Sequence, residues 1–263
     1  MKSGLGQLES CMTQIAPGSV TFVGAGPGAA DLITVRGLRV LQQAEVVIYD
    51  ALPGDDLLIE FPANAVRVPV GKRCGHHSAT QAEIHQQLLE HAGAGKRVVR
   101  LKGGDPGVFG RLGEEMIFLN EHGIPWSVVP GVTASVAGAA TAGFPLTHRG
   151  VTMAVTFLTG HCADGRQADL RPFVATGATL CLYMGAKHLT QTAVDLLAAG
   201  QSPATPVALL SRVSQADESL RTVELHEIAS GQIDPAGLPT PLLIVVGEVV
   251  RLGLVRELSR QLV

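Results

Sequence analysis

The chain has 263 residues, 46% of them hydrophobic, only 16% charged, with a formal net charge of −3 and a mean hydropathy of +0.28. That profile excludes a disordered chain and gives no global basic footprint for nucleic acid. Aromatics at 4% leave little for base-stacking platforms, while 31 glycines and 15 prolines point to many shaped loops.

Residues 1–18 contain Glu9 and no continuous apolar run, which argues against a secretory signal; they are expected to form a mobile tail. An apolar run at 20–24 precedes a glycine loop, Gly24–Asp31, and a helical pattern over 31–43. Short apolar runs at 46–49 and 66–70, a helical pattern at 81–91, a strand at 97–102, a helix through about 121 and a strand at 126–129 follow. Such alternation marks a mostly parallel α/β sheet. Segment 128–146 is uncharged, but Pro130, Gly131, Gly138, Gly143 and Pro145 interrupt it, so a short packed helix fits better than a membrane span. The second half predicts strands at 152–159, 179–183, 207–211, 220–225 and 242–247, with helices at 189–199 and 249–262. The expected domains are 19–147 and 148–263.

Cys11, Cys74, Cys162 and Cys181 form no CxxC pair, so neither a zinc site nor a disulfide framework is indicated, and reduced thiols in a cytoplasmic enzyme are expected. No metal site is expected.

The densest signal is VVRLKGGDPGVFGRLGEE over 98–115. A strand stops at Gly103-Gly104 and a helical pattern begins at Arg111. Five glycines between 103 and 113 let backbone approach a ligand, and Arg111, Glu114 and Glu115 are expected to lie over whatever binds. The first loop, GAGPGAAD, formally matches G-x-G-x-x-A, with Asp50 ending the next strand. On those residues a dinucleotide site is open, although Pro27 removes a backbone donor from the turn. Neither loop matches a phosphate-binding P-loop. Ligands of open α/β sheets bind beyond the carboxyl ends of strands, where these loops, Asp50, 72–77 and 130–133 gather.

The ordered blocks VGAGPGAADLIT, VIYD, VGKRCGHHS, VVRLKGGDPGVFGR, VVPGVTA, PLTHRG, TFLTGH, LYMG and IVVGEVV resemble the tetrapyrrole methylases, and more narrowly their uroporphyrinogen-III C-methyltransferase branch. The resemblance covers about residues 19–250. It implies a two-domain α/β fold, each domain a mixed or mostly parallel sheet flanked by helices, with the active site in the interdomain cleft, and a homodimer. It implies S-adenosyl-L-methionine as methyl donor, leaving S-adenosyl-L-homocysteine. It also implies two methylations of uroporphyrinogen III, through precorrin-1 to precorrin-2, for sirohaem, cobalamin or haem d1. The dehydrogenase–chelatase domain fused in some relatives is expected to be absent.

By the same resemblance Pro27, Gly103, Gly104, Asp105, Val108, Thr133, Ala134 and Met184 line the donor site. The Asp105 carboxylate and the polarizable Met184 sulfur suit a sulfonium. The acceptor's eight carboxylates call for cations, and Arg111, Arg149, Lys72, Arg73, His76, His77, His148 and His161 lie in or beside the matched blocks. Arg111, Glu114, Arg149 and His161 are the substrate-binding candidates. The family's proton acceptor falls on Asp50 and its proton donor on Lys72. Asp50 and Glu114 rank above Arg111 for proton handling, because an arginine is a poor base. The rivals are methylation of a later corrin intermediate, a dinucleotide-dependent reductase and a non-catalytic tetrapyrrole carrier. Three departures stand out: Ala51 where relatives carry arginine, Gly107 and Leu112 in the central loop, and Ser211-Arg212-Val213-Ser214 in place of ENGT. The last puts Val213 where relatives have a donor-contacting glycine.

Overall fold

A computed structural model describes residues 14–50, 55–71, 79–160 and 169–253. Its contacts divide the chain into two compact units, Met1–Thr133 and Ala134–Val263. This contact division lies before the 147/148 boundary expected from Pro145 and Gly150. Its reason is the alanine-rich helix Ala134–Ala142, which packs on the second unit's sheet. Its Gly138 is close against Leu210, Val213 and Leu243.

The first unit contains, in chain order, β1 (Ser19–Gly24), α1 (Val35–Leu41), β2 (Val46–Tyr49), α2 (Asp55–Leu58), β3 (Val66–Pro69), α3 (Gln81–Gly93), β4 (Arg97–Lys102), α4 (Leu112–Glu121) and β5 (Trp126–Val129). The strands form one sheet in the order β3-β2-β4-β1-β5. All its pairings are parallel, with Phe22 and Ile48 flanking Arg100 in register. β4 is therefore the central strand. One face carries Val23, Val47, Val99 and Leu101 against Leu41 and Leu57. The other carries Phe22, Ile48 and Val98 against Leu88 and Leu119. Local chemistry sets the helix starts. Thr80 Oγ1 accepts from the Glu83 N–H (3.2 Å) while Glu83 Oε2 accepts from the Thr80 N–H (2.6 Å), a reciprocal capping box for α3. The helix expected over 31–43 is broken: a 3-10 turn at Ala30–Leu32 ends at an extended Ile33, and Thr34 caps α1 by accepting from the Gly37 N–H.

The second unit contains α5 (Ala134–Ala142), β6 (Val155–Thr159), α6 (Arg171–Ala175), β7 (Thr179–Tyr183), α7 (Leu189–Ala198), β8 (Pro206–Ser211), β9 (Ser219–Glu224), α8 (Leu225–Ala229) and β10 (Leu242–Val246). The sheet order is β6-β7-β10-β8-β9. Only β6 and β7 pair in parallel; β10 runs antiparallel to β7 and β8, and β8 to β9. This mixed sheet holds an apolar cluster of Leu180, Leu182, Leu196, Leu209, Ile228 and Ile244. The strand expected from 152 starts only at Val155, because His148 and Thr152 close a turn on each other. Residues 250–253 are helical; the rest of the expected closing helix lies outside the described residues. Among the described residues no helix is long and apolar enough to cross a membrane.

Candidate functional site

In the first unit three loops meet where β1, β4 and β5 end. Gly26 and Gly104 exchange backbone hydrogen bonds, Gly26 N–H to Gly104 O at 3.2 Å and Gly104 N–H to Gly26 O at 2.7 Å. The two glycine loops are thus one paired structure. The third loop closes on it. A Cβ at Gly131 would stand 2.3 Å from the Gly104 carbonyl oxygen and 2.7 Å from Gly24 Cα, so side chains are excluded there. Gly104 has φ +67°, and a Cβ on it would meet only Thr133 Cα at 3.9 Å and Val132 O at 4.0 Å. The convergence is tightest at Gly131 and looser at Gly104, a backbone floor bare of side chains beside Thr133. Pro27 is buried, and Gly103, Asp105 and Val108 are half-buried around this floor.

Asp105 binds the loops together. Its Oδ1 accepts from the Gly107 N–H (2.8 Å) and its Oδ2 from the Gly131 N–H (2.9 Å). Each carboxylate oxygen thus accepts one backbone amide, which ties the central loop to the loop after β5. Phe109 (φ 54°) and Arg111 (φ 55°) follow in the left-handed region. Non-glycine residues held there cost on the order of 1–3 kcal/mol each and persist where the surroundings enforce them. Arg111 is the residue before α4, not its first turn. Its Nε and Nη2 donate to the two Glu114 oxygens (2.8 and 2.6 Å), and both side chains are more than half exposed. The guanidinium's hydrogen bonds hold the Glu114 carboxyl below the usual carboxylate range.

Asp50 stands directly after β2. Its Oδ1 accepts from Arg100 Nη2 at 2.6 Å, and its side chain is 29% exposed. Behind it lies a charged cluster that the sequence reading missed. Arg100, Lys102 and Glu115 are 2%, 2% and 1% exposed. Arg100 Nε donates to Glu115 Oε2 (3.2 Å) and Lys102 Nζ to Glu115 Oε1 (2.5 Å). Glu115, expected beside the ligand, points instead into the core. Burial, then the neighbouring Arg100 charge, pulls the Lys102 ammonium below its ordinary range, against the opposing pull of Glu115. The signal that could have found Glu115 is the stripe it joins: Leu112, Met116 and Leu119 share the inward side of α4.

In the second unit, Tyr183 links two candidate segments. Its hydroxyl donates to Ser135 Oγ at 2.7 Å and accepts from the Ser135 N–H at 3.1 Å. That joins the start of α5, where Ala134 sits, to the end of β7, where Met184 follows. Met184 has φ 57° and is 59% exposed. Arg149 is exposed in the turn closed by His148 and Thr152. Val213 is buried between Arg212 (φ 51°) and Ser214 (φ 61°), and Arg212 pairs with Asp217. Lys72 and His161, with Arg73, His76 and His77, lie outside the described residues.

Residues 19–229 match the model of the Tetrapyrrole (Corrin/Porphyrin) Methylases. The chain is 46% identical over 253 residues to Siroheme synthase 1 of Serratia proteamaculans, covering 94% of this chain and 52% of that protein. It thus spans about half the length of the curated relatives it matches. Among solved structures, the uroporphyrin-III C-methyltransferase of Thermus thermophilus, complexed with S-adenosyl homocysteine, superposes with a TM-score of 0.78 at 42% identity. That match covers 89% of this chain and 99% of the other. A cobalt precorrin-4 methyltransferase superposes with a TM-score of 0.78 at 28% identity, over 89% of this chain and 96% of its own. The shared blocks, the paired glycine loops and the two sheets agree: the chain belongs to the tetrapyrrole methylase family.

Proposed function

We propose that this protein is an S-adenosylmethionine-dependent methyltransferase that C-methylates uroporphyrinogen III at two pyrrole rings, giving precorrin-2 through precorrin-1. The observation that carries the reading is the bare floor at Gly104, within a chain that matches nearly the whole of a uroporphyrin-III C-methyltransferase. The residues fit such a donor. The floor offers backbone rather than side chains, neither loop is a phosphate cradle, and Met184 exposes a polarizable thioether. Bound S-adenosylmethionine supplies an electrophilic methyl group. Pro27, Gly103, Gly104, Val108, Thr133, Ala134 and Met184 are assigned to holding it, and Asp105 to fixing the loops that do so.

As the methyl–sulfur bond breaks and the new carbon–carbon bond forms, positive charge passes to the macrocycle and a proton must leave it. Orientation of carbon and methyl in line supplies much of the rate. Asp50 is assigned as proton acceptor and Lys72 as proton donor. Arg111, Arg149 and His161 are assigned to the acceptor's carboxylates, which suit bidentate arginine contacts. Glu114, tied to Arg111, is assigned to holding that arginine in place. We further propose a cytoplasmic homodimer whose product feeds sirohaem, cobalamin or haem d1 formation.

An anaerobic assay with methyl-labelled donor and uroporphyrinogen III tests the reading. Two labelled methyl groups per acceptor are expected. Label appearing only on a later corrin intermediate, nicotinamide-cofactor oxidation, or macrocycle binding without donor consumption would each replace it with one of its rivals.

A further inference from the structure

Two cations on the most central strand of an all-parallel sheet, and an anion on α4 facing them, sit in the core of the first unit. Arg100 lies in register between Phe22 and Ile48, both fully buried. Removing such charges from water is costly, and apolar residues of similar volume are often as stable or more so. Fold stability therefore does not explain why the positions are charged. Geometry does. Arg100 is fixed from several sides: Nε by Glu115, and Nη1 by the carbonyls of Ile48 (3.4 Å) and Leu101 (3.1 Å). Its remaining nitrogen, Nη2, meets Asp50. Lys102 holds the other oxygen of Glu115, so the Glu115 carboxylate cannot turn away from Arg100. The chain of contacts runs from the core to one partly exposed end, the Asp50 carboxylate at the carboxyl edge of the sheet. The second Asp50 oxygen has no hydrogen-bond partner among the described residues.

We propose that Arg100, Glu115 and Lys102 are positioning residues for Asp50: a rigid, buried set that fixes one carboxylate oxygen so that the other is presented to the substrate. The proposal rests on the assignment of Asp50 as proton acceptor. Arg100 acts through Asp50 and touches no reactant.

The test combines Arg100→Lys, Asp50→Asn and the double variant with a crystal structure of Arg100→Lys. Arg100→Lys keeps the charge but loses the planar fork that serves Glu115, two carbonyls and Asp50 together. A misplacement of the order of 1 Å costs about 10²-fold. The expected results are a loss of that size in kcat, affinity for S-adenosylhomocysteine by calorimetry held within about twofold, and a double variant no slower than Asp50→Asn alone. Glu115→Gln, which keeps shape and gives up charge, is the second variant and should lose kcat in the same non-additive way. Wild-type turnover in both variants, or equal fold losses with and without Asp50, would overturn the proposal. The crystal structure decides independently of substrate: the Asp50 carboxylate should be displaced while β4 and α4 superpose, and an unmoved carboxylate also overturns it. If the wild-type protein leaves uroporphyrinogen III unmethylated, the functional reading fails, and the crystallographic result still judges the positioning set.

Discussion

The two units solve the same packing problem with different interiors. Among the described residues, the second unit buries leucine, isoleucine and valine, and its fully buried polar groups are the hydroxyls of Ser135, Thr179, Thr205 and Ser211. The first unit buries Arg100, Lys102 and Glu115 as well. The difference is one of purpose. An apolar sheet interior is stable by itself; a charged interior is stable only while every partner is present, and it can deliver a group to the surface at a fixed angle.

Breaking the charged set at one member should have the largest effect. Glu115→Leu leaves Arg100 and Lys102 buried without their shared anion, and a loss of about 3–5 kcal/mol is expected by urea unfolding. In the apolar unit the matching experiment is Leu209→Ala. Leu209 is 1% exposed in β8, so the expected loss is about 2–5 kcal/mol, with no charge penalty and no change in its salt dependence. The converging loops come next. Gly131→Ala drives a methyl into the Gly104 carbonyl, costing about 1–3 kcal/mol, and should weaken S-adenosylhomocysteine binding by calorimetry because the Gly104 floor must move. The smallest effect belongs to the exposed Arg111–Glu114 pair. Glu114→Gln should change stability at neutral pH by under about 1 kcal/mol. Since the folded pKa of Glu114 is depressed, the small contribution it makes is present above the ordinary carboxylate range and disappears as pH falls through the folded value. The difference between the urea curves of wild type and variant should therefore be largest at pH 7 and shrink as the pH is lowered through the acid range.

The same contrast explains what the sequence conveyed. Every strand of both sheets was legible, because β-branched runs ending at glycine or proline are local signals. The paired glycine loops were legible because glycine clusters declare close backbone approach. The charged core was hidden by the pattern that normally guides such reading. In RVVRLK, apolar Val99 and Leu101 alternate with Arg100 and Lys102, the pattern of a strand with one wetted face. The structure covers that face with α3 and α4. Glu115, adjacent to Glu114, was expected over the ligand with it, and only the helical register separates them, Glu114 exposed and Glu115 buried. The division at Thr133/Ala134 was equally hidden, since Pro145 and Gly150 are strong breakers but the packing of α5 decides its allegiance.

The most direct test replaces the charged set as a whole. The triple variant Arg100→Met, Lys102→Met, Glu115→Leu keeps shape and removes every buried charge. If the charges serve Asp50 rather than the fold, this variant unfolds at the same or higher urea concentration than wild type and loses methyl transfer to uroporphyrinogen III by about 10²-fold or more. A folded triple variant that methylates at the wild-type rate would contradict the account.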